Sequence, residues 1–160
     1  MEKRLKLIDG KINFNCLMDR CEHCCCGPFS GITDNIASVD GRPFDEIILT
    51  DDDYARIYES GKSELIDEAV STVTGKTYYK MKLKPDGSCQ ALNNGRCSIN
   101  HYKPTLCKAF PFYFDMFTGL CAITCDGFTD ECDADLDECK ESMDAARQMY
   151  EYWIRFYSEE

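Results

Sequence analysis

Cys16-Leu17-Met18-Asp19-Arg20-Cys21-Glu22-His23-Cys24-Cys25-Cys26 places five thiols within eleven residues, and the use of these sulfurs decides what kind of fold can enclose them. Five more follow at wider spacing, at Cys89, Cys97, Cys107, Cys121 and Cys125. Twelve of 160 residues are cysteine, in a chain whose nine phenylalanines, nine tyrosines and one tryptophan suffice for a core without covalent staples. In a reducing compartment, cysteines at short spacings are more often metal ligands or redox catalysts than disulfides. Thiolates are soft donors that suit zinc and iron–sulfur clusters, whereas magnesium and calcium take oxygen. The expected metal ligands are Cys16, Cys21, Cys24, Cys25, Cys26, Cys89, Cys97, Cys107 and Cys125, with Cys121 as a further cofactor-binding candidate. Which of Cys24, Cys25 and Cys26 ligate stays open.

Spacing chooses among the soft metals. A zinc ribbon pairs one CxxC with a second, and only Cys21-Glu22-His23-Cys24 supplies such a half. Adjacent cysteines point their side chains in different directions. The Cys24-Cys25-Cys26 run therefore feeds a polynuclear cluster, or neighbouring sites, more readily than one tetrahedron. The expected cofactor is an iron–sulfur cluster, of the 4Fe–4S type and one or more in number, with zinc as the alternative. A thiol–disulfide role for Cys21 and Cys24 would want the strand-to-helix step of a βαβ unit, and no such alternation of elements is seen. A catalytic cysteine would have only His23 and His101 as bases, and nothing singles out one thiol of twelve. His23 reads either as a ligand or as an exposed loop residue, while His101, beside Tyr102 and Pro104, is expected to be packed or hydrogen-bonded. Cys139 is expected to be a core thiol and Cys132 to be peripheral.

The remaining composition narrows the partners. A formal net charge of −11 disfavours nucleic acid and anionic membrane, either of which needs a basic face. No stretch reaches the eighteen or so apolar residues of a spanning helix, and Met1-Glu2-Lys3-Arg4-Leu5-Lys6 runs into charge instead of an apolar leader. The reading is a soluble cytoplasmic protein, one domain over residues 1–160, with a protein redox or enzyme partner.

The pattern of elements predicts an α+β fold with short antiparallel strands, a loop-rich cysteine region and a long C-terminal amphipathic helix. Leu5-Lys6-Leu7-Ile8 and Lys11-Ile12-Asn13-Phe14 flank Asp9-Gly10, a hairpin signal that delivers Cys16 at a strand end. Ile47-Ile48-Leu49 leads into Thr50 and three aspartates, a helix start, with Tyr54, Ile57 and Tyr58 on one face. A second helix is expected over residues 63–72, burying Leu65, Ile66, Ala69 and Val70. Residues 76–84 alternate Thr77, Tyr79, Met81 and Leu83 against Lys76, Tyr78, Lys80, Lys82 and Lys84, a half-buried strand with a solvated lysine face. Turns at Pro85-Asp86-Gly87-Ser88 and Asn93-Asn94-Gly95 make a meander around Cys89 and Cys97. Phe110–Met116 and Leu120–Thr124 read as another antiparallel pair. Leu136, Cys139, Met143, Ala146, Tyr150, Trp153 and Tyr157 form one stripe of a helix over about 134–157, packed on its own domain or, alternatively, forming a homodimer seam.

Cys97-Ser98-Ile99-Asn100-His101-Tyr102-Lys103-Pro104-Thr105-Leu106-Cys107-Lys108-Ala109-Phe110-Pro111 closely resembles the CxIYxxRPxxCRxFP pattern of the YkgJ-like cysteine-cluster family of zinc- or iron-chelating domains. Phe14-Asn15-Cys16 through Cys26 is similar to that family's other signature, CxxCxxCC. The apolar-then-acidic segment from Ile47 to Ile57 and the closing Cys125-Asp126-Gly127 resemble its remaining landmarks. The resemblance spans residues 14–127. Asn100 stands where tyrosine is usual, Lys103 and Lys108 where arginine is usual, and four residues instead of two separate Cys16 from Cys21. That wider gap, with Cys25-Cys26-Gly27 following, resembles the cysteine region of flagellin lysine N-methylases, which carry an iron–sulfur cluster and use S-adenosylmethionine. The resemblance thus implies metal chelation. It gives three readings: an iron–sulfur protein in redox chemistry or accessory to a larger enzyme system, a structural zinc module that binds a protein partner, and an accessory or fragment related to lysine methylation. No glycine-rich nucleotide loop accompanies the third.

Overall fold

Asp9 and Gly10 both take positive φ, 51° and 74°, which matches the right-handed twist of a tight hairpin. In the computed structural model they join strand β1 (Leu7–Ile8) to β2 (Lys11–Ile12), with Leu7 opposite Ile12 and Ile8 opposite Lys11. The structure describes residues 5–16, 46–115, 117, 119–122 and 127–158. The expectations for Cys21, His23, Cys24, Cys25, Cys26 and Cys125 fall outside them. The fold is α+β, with short antiparallel strands in small sheets and a C-terminal helix. It divides into two compact units, one from the described residues of 1–23 and 108–158 and one from those of 24–107.

In the first unit, β10 (Ala134–Asp135) adds to the far edge of β2, so the sheet order is β1-β2-β10. A second hairpin pairs β8 (Phe112–Asp115) with β9 (Gly119–Ala122). Helix α3 (Lys140–Ser158) packs against β8. The core gathers Ile12, Phe14, Phe112, Phe128, Ala134, Cys139, Ala145 and Ala146. The Phe14 ring meets Phe112 edge-on at 5.4 Å and Phe128 at 5.0 Å. The helix begins later than its apolar stripe predicts. Ala134 and Asp135 are taken by the ladder to Ile12 and Lys11, the Leu136 amide donates to the Gly10 carbonyl at 3.0 Å, and Leu136–Cys139 form a 3₁₀ turn before Lys140. Strand pairing satisfies those backbone groups and so competes with the helix's first turns. Along α3, Ala145, Ala146 and Met149 are the buried residues, while the half-buried Trp153 and Tyr157 rings stack on each other at 5.7 Å.

The second unit is built on β3 (Ile48–Leu49), β4 (Ile66–Val70) and β5 (Thr77–Met81) in the order β3-β5-β4. Helix α1 (Asp51–Glu59) starts at a complete capping box. The Thr50 hydroxyl accepts from the Asp53 amide at 3.2 Å, and the Asp53 carboxylate accepts from the Thr50 amide at 3.1 Å. Ile57 is fully buried below it, whereas Tyr58 is exposed. The expected helix over 63–72 is not formed. Ser63–Leu65 make one 3₁₀ turn and Ile66–Val70 pair with β5 from Ile66↔Met81 to Val70↔Thr77. Ten residues are too few for a helix to stand without tertiary support, and β-branched Ile66 and Val70 suit the ladder that β5 offers.

Strand β5 also departs from the simple two-faced reading. Tyr78 and Met81 are both buried and Thr77 is exposed, because each face of the strand is partly covered. Glu46 receives hydrogen bonds from the Tyr78 hydroxyl at 2.9 Å and from Lys80 Nζ at 2.7 Å, so part of the lysine row is bound up in a local network. Burial works against the Lys80 ammonium, but the Glu46 hydrogen bond and charge outweigh it and hold its pKa above the ordinary value. The core of this unit comprises Ile47, Leu49, Ile57, Leu65, Met81, Cys89, Ala91 and Ile99.

Candidate metal centre

The second unit brings three of the expected ligands to one hydrophobic core. Cys89 is part of that core at 3% exposure, and Cys97 and Cys107 are half-buried and packed against it. Local chemistry explains the placement of each. The Asp86 carboxylate accepts from the Ser88 amide at 2.9 Å and from the Ser88 hydroxyl at 2.6 Å, an Asx turn that aims the next residue, Cys89, inward. Leu83 bridges Cys89, closing the loop. β6 (Leu92–Asn93) and β7 (Arg96–Cys97) then form a hairpin that sets Leu92 opposite Cys97. Cys107 lies on the short helix α2 (Thr105–Ala109), which follows the buried Pro104.

The electrostatics at Cys89 pull in two directions. Burial pushes its thiol up and the nearby Cys97 adds to this, while the backbone amides of Ala91 and Leu92 and the Lys84 ammonium favour the thiolate. Lys84 Nζ is held close by, pairing with the Leu92 carbonyl. Burial prevails and holds the thiol's pKa above its ordinary value, so Cys89 as a thiolate would call for a soft metal ion to offset its desolvation. This donor set fits thiolate-ligated metal. Among the described residues, no group of three or more His, Cys, Asp or Glu side chains converges tightly enough to hold an ion. Cys89, Cys97 and Cys107 therefore do not complete a coordination sphere by themselves.

In the first unit, Cys16 follows a stretch that is pinned to the segment 127–129. Phe14 bridges Phe128, the Asn15 amide donates to the Gly127 carbonyl at 2.8 Å, and the Thr129 amide donates to the Asn13 carbonyl at 2.9 Å. Asn13 is fully buried, with its side chain bonded to the Lys6 amide and the Thr129 carbonyl. A methyl group on Gly127 would lie 2.7 Å from both the Asn15 carbonyl oxygen and the Phe14 ring, so only glycine permits this approach. The opening cysteine of one sequence signature thus runs beside the glycine that ends Cys125-Asp126-Gly127.

Cys139, at 6% exposure, sits in the core as expected of it, but it also lies within electrostatic reach of Cys16. Burial pushes its thiol up, and Glu138 and Cys16 add to the shift. Cys121 is on β9 opposite Tyr113, on the face away from Leu120 and Ala122, which pack on the core; its thiol donates to the Gly119 carbonyl at 3.6 Å. The Cys132 thiol donates to the Lys6 carbonyl at 3.5 Å, in keeping with a peripheral role. His101 is exposed on the 3₁₀ turn Asn100–Tyr102, not packed as Tyr102 and Pro104 suggested. Cys89, Cys132 and Cys139 are thiols and not half-cystines.

Two local arrangements, one in each unit, escaped the sequence reading. The neighbourhood of Cys139 and Cys16 is made by β2–β10 pairing across more than a hundred residues, for which two-residue strands leave no periodic signal. Asp53 reads in sequence as one of three acidic residues at a helix start, and only the Thr50-x-x-Asp53 spacing sets it apart.

A family described as "CxxCxxCC: Putative zinc- or iron-chelating domain" matches residues 15–126. The chain belongs to this family. The match runs from beside Cys16 to the residue before Gly127, the two places that the first unit holds together, and it includes the whole Cys89, Cys97 and Cys107 region. No curated protein and no solved structure matches the chain. Among the described residues no helix is long and apolar enough to cross a membrane.

Proposed function

We propose that this CxxCxxCC chain binds one or more iron–sulfur clusters and serves electron transfer or a redox task beside a partner enzyme. The residues that would hold them are Cys16, Cys21, Cys24, Cys25, Cys26, Cys89, Cys97, Cys107 and Cys125. The observation that carries the reading is the gathering of Cys89, Cys97 and Cys107 at one hydrophobic core, with Cys89 buried in it and Cys97 close enough to act on its sulfur. Amide hydrogen bonds to ligating sulfur, burial and nearby charge are the means by which a protein sets the potential of such a centre. Nine thiols exceed the four donors of one zinc tetrahedron and equally the four cysteines of one 4Fe–4S cluster, so the count favours more than one site. When bound, the cluster supplies one-electron chemistry; the chain supplies its ligands, its burial and the hydrogen bonds to sulfur.

The test is anaerobic purification or reconstitution of the full chain with iron and sulfide, followed by metal and acid-labile sulfide analysis, visible absorption and electron paramagnetic resonance. The expected result is a coloured protein with iron and sulfide in matched amounts. Colourless protein with stoichiometric zinc and no sulfide would replace this reading with a structural zinc module that acts through protein contacts. Binding of S-adenosylmethionine, measured by calorimetry on the loaded protein, would move the chain toward the methylase-related reading.

A further inference from the structure

The carboxylate of Asp53 joins two parts of the second unit that are 52 residues apart in sequence. It is fully buried. From its own helix it accepts the Thr50 amide at 3.1 Å and pairs with the Arg56 guanidinium. From the other segment it accepts the Thr105 amide, at 3.1 and 3.0 Å to its two oxygens, and the Thr105 hydroxyl at 2.9 Å. Thr105 is itself buried and is the first residue of α2, the helix that carries Cys107 two positions later.

We infer that Asp53 is a positioning residue for the metal centre: its buried carboxylate holds Thr105, and through Thr105 it fixes where the Cys107 sulfur stands. This rests on the assignment of Cys107 as a metal ligand. A five-residue helix has too few internal hydrogen bonds to hold its own place, so its orientation has to come from tertiary contacts. Here one carboxylate takes both the backbone amide and the side-chain hydroxyl of its first residue. The donors around Asp53 also explain why the residue is an acid. Asparagine would turn an NH₂ group toward a set of N–H and O–H donors and leave at least one of them buried without an acceptor. Arg56 compensates the charge locally, so the carboxylate can be withdrawn from water and still serve both segments.

The experiment compares the wild-type chain with Thr105→Val, Thr105→Ser, Asp53→Asn and Cys107→Ser, each reconstituted anaerobically with iron and sulfide. Two quantities are read: the chelator concentration at which half the iron is released, and the thermal midpoint of the metal-free chain. If the chain loads zinc instead, zinc release is followed in the same way. Thr105→Val should lower the half-release concentration by about tenfold or more, as is typical when support behind a ligand is lost. Thr105→Ser should restore it, and Asp53→Asn should lose at least as much as Thr105→Val. Adding Thr105→Val to Cys107→Ser should cause no further loss of metal.

A purely structural role would lower the metal-free thermal midpoint and leave the half-release concentration in place. That result overturns the inference, and so does an equal loss of metal whether or not Cys107 is present. Should Asp53→Asn fail to fold, Thr105→Val decides, because it removes one hydroxyl and retains the amide bond. If Cys107→Ser itself holds iron as wild type does, the ligand assignment fails first and takes the inference with it. The two failures are therefore distinguishable.

Discussion

The thiol at position 107 and the one at position 139 are both described as half-buried or buried, yet their surroundings predict opposite results on substitution. Cys107→Ser should lose metal and fold stability together, read by metal analysis and by urea denaturation of the same preparation. Cys139→Ser places a hydroxyl in an apolar core and should cost about 1–3 kcal/mol in urea denaturation while the bound metal stays at its wild-type amount. Loss of metal from that second variant would make its neighbour Cys16 part of a wider ligand set that includes position 139. A third prediction concerns acid. The Ser88 hydroxyl and amide hold the Asp86 carboxyl below its ordinary pKa of 3.8, so its contribution to stability is present above that value and is lost as the pH falls through the lower, folded one. The ¹³C carboxyl resonance of Asp86 should titrate with a midpoint below 3.8, and Ser88→Ala should move it back up. At this scale the metal-chelating character of the chain was legible because sulfur chemistry depends on residue type and spacing. The partners of Asp53 and the nearness of Cys139 to Cys16 were not, since each is set by tertiary neighbours.

Short elements place these side chains, and their ends matter more than their lengths. Thr50→Ala should remove half of the α1 capping box and destabilise the chain by about 1 kcal/mol, seen as a lower urea midpoint at an unchanged slope. Gly127→Ala would force a methyl group against the Asn15 carbonyl and the Phe14 ring, both at 2.7 Å, and should cost on the order of 1–3 kcal/mol. The Asp9-Gly10 and Asn94-Gly95 turns were readable because their residues carry their own backbone preference. The segment 63–72 was misread as helix for the opposite reason: Leu65, Ile66, Ala69 and Val70 satisfy a helical spacing as well as they satisfy half of a ladder, and only β5 breaks the tie. Likewise the stripe from Leu136 to Tyr157 was right about α3 and wrong about its start, because β2 captures Ala134 and Asp135 first.

For the molecule as a whole, metal and fold should be coupled. Ligand that binds only the native chain stabilises it by about 2.7 kcal/mol at one hundred times its dissociation constant, so anaerobic chelation should lower the thermal midpoint and remetallation should restore it. The α+β class was legible because hairpin signals and one long amphipathic stripe sit far apart in the chain. The division into two units was not, because one of them is assembled from residues 1–23 and 108–158 and leaves no mark at either boundary. That split has a consequence for biosynthesis. Residues 24–107 leave the ribosome as one uninterrupted run, whereas β2 must wait for β10, more than 120 positions downstream, before it gains its second neighbour. At roughly 5–20 residues per second, the opening hairpin waits several seconds at least with one edge unsatisfied and Cys16 not yet anchored beside Gly127. On the proposed assignment of Cys16 as a ligand, metal would enter at that thiol after translation, and shielding nascent sulfur from oxygen during the wait should raise the yield of loaded protein.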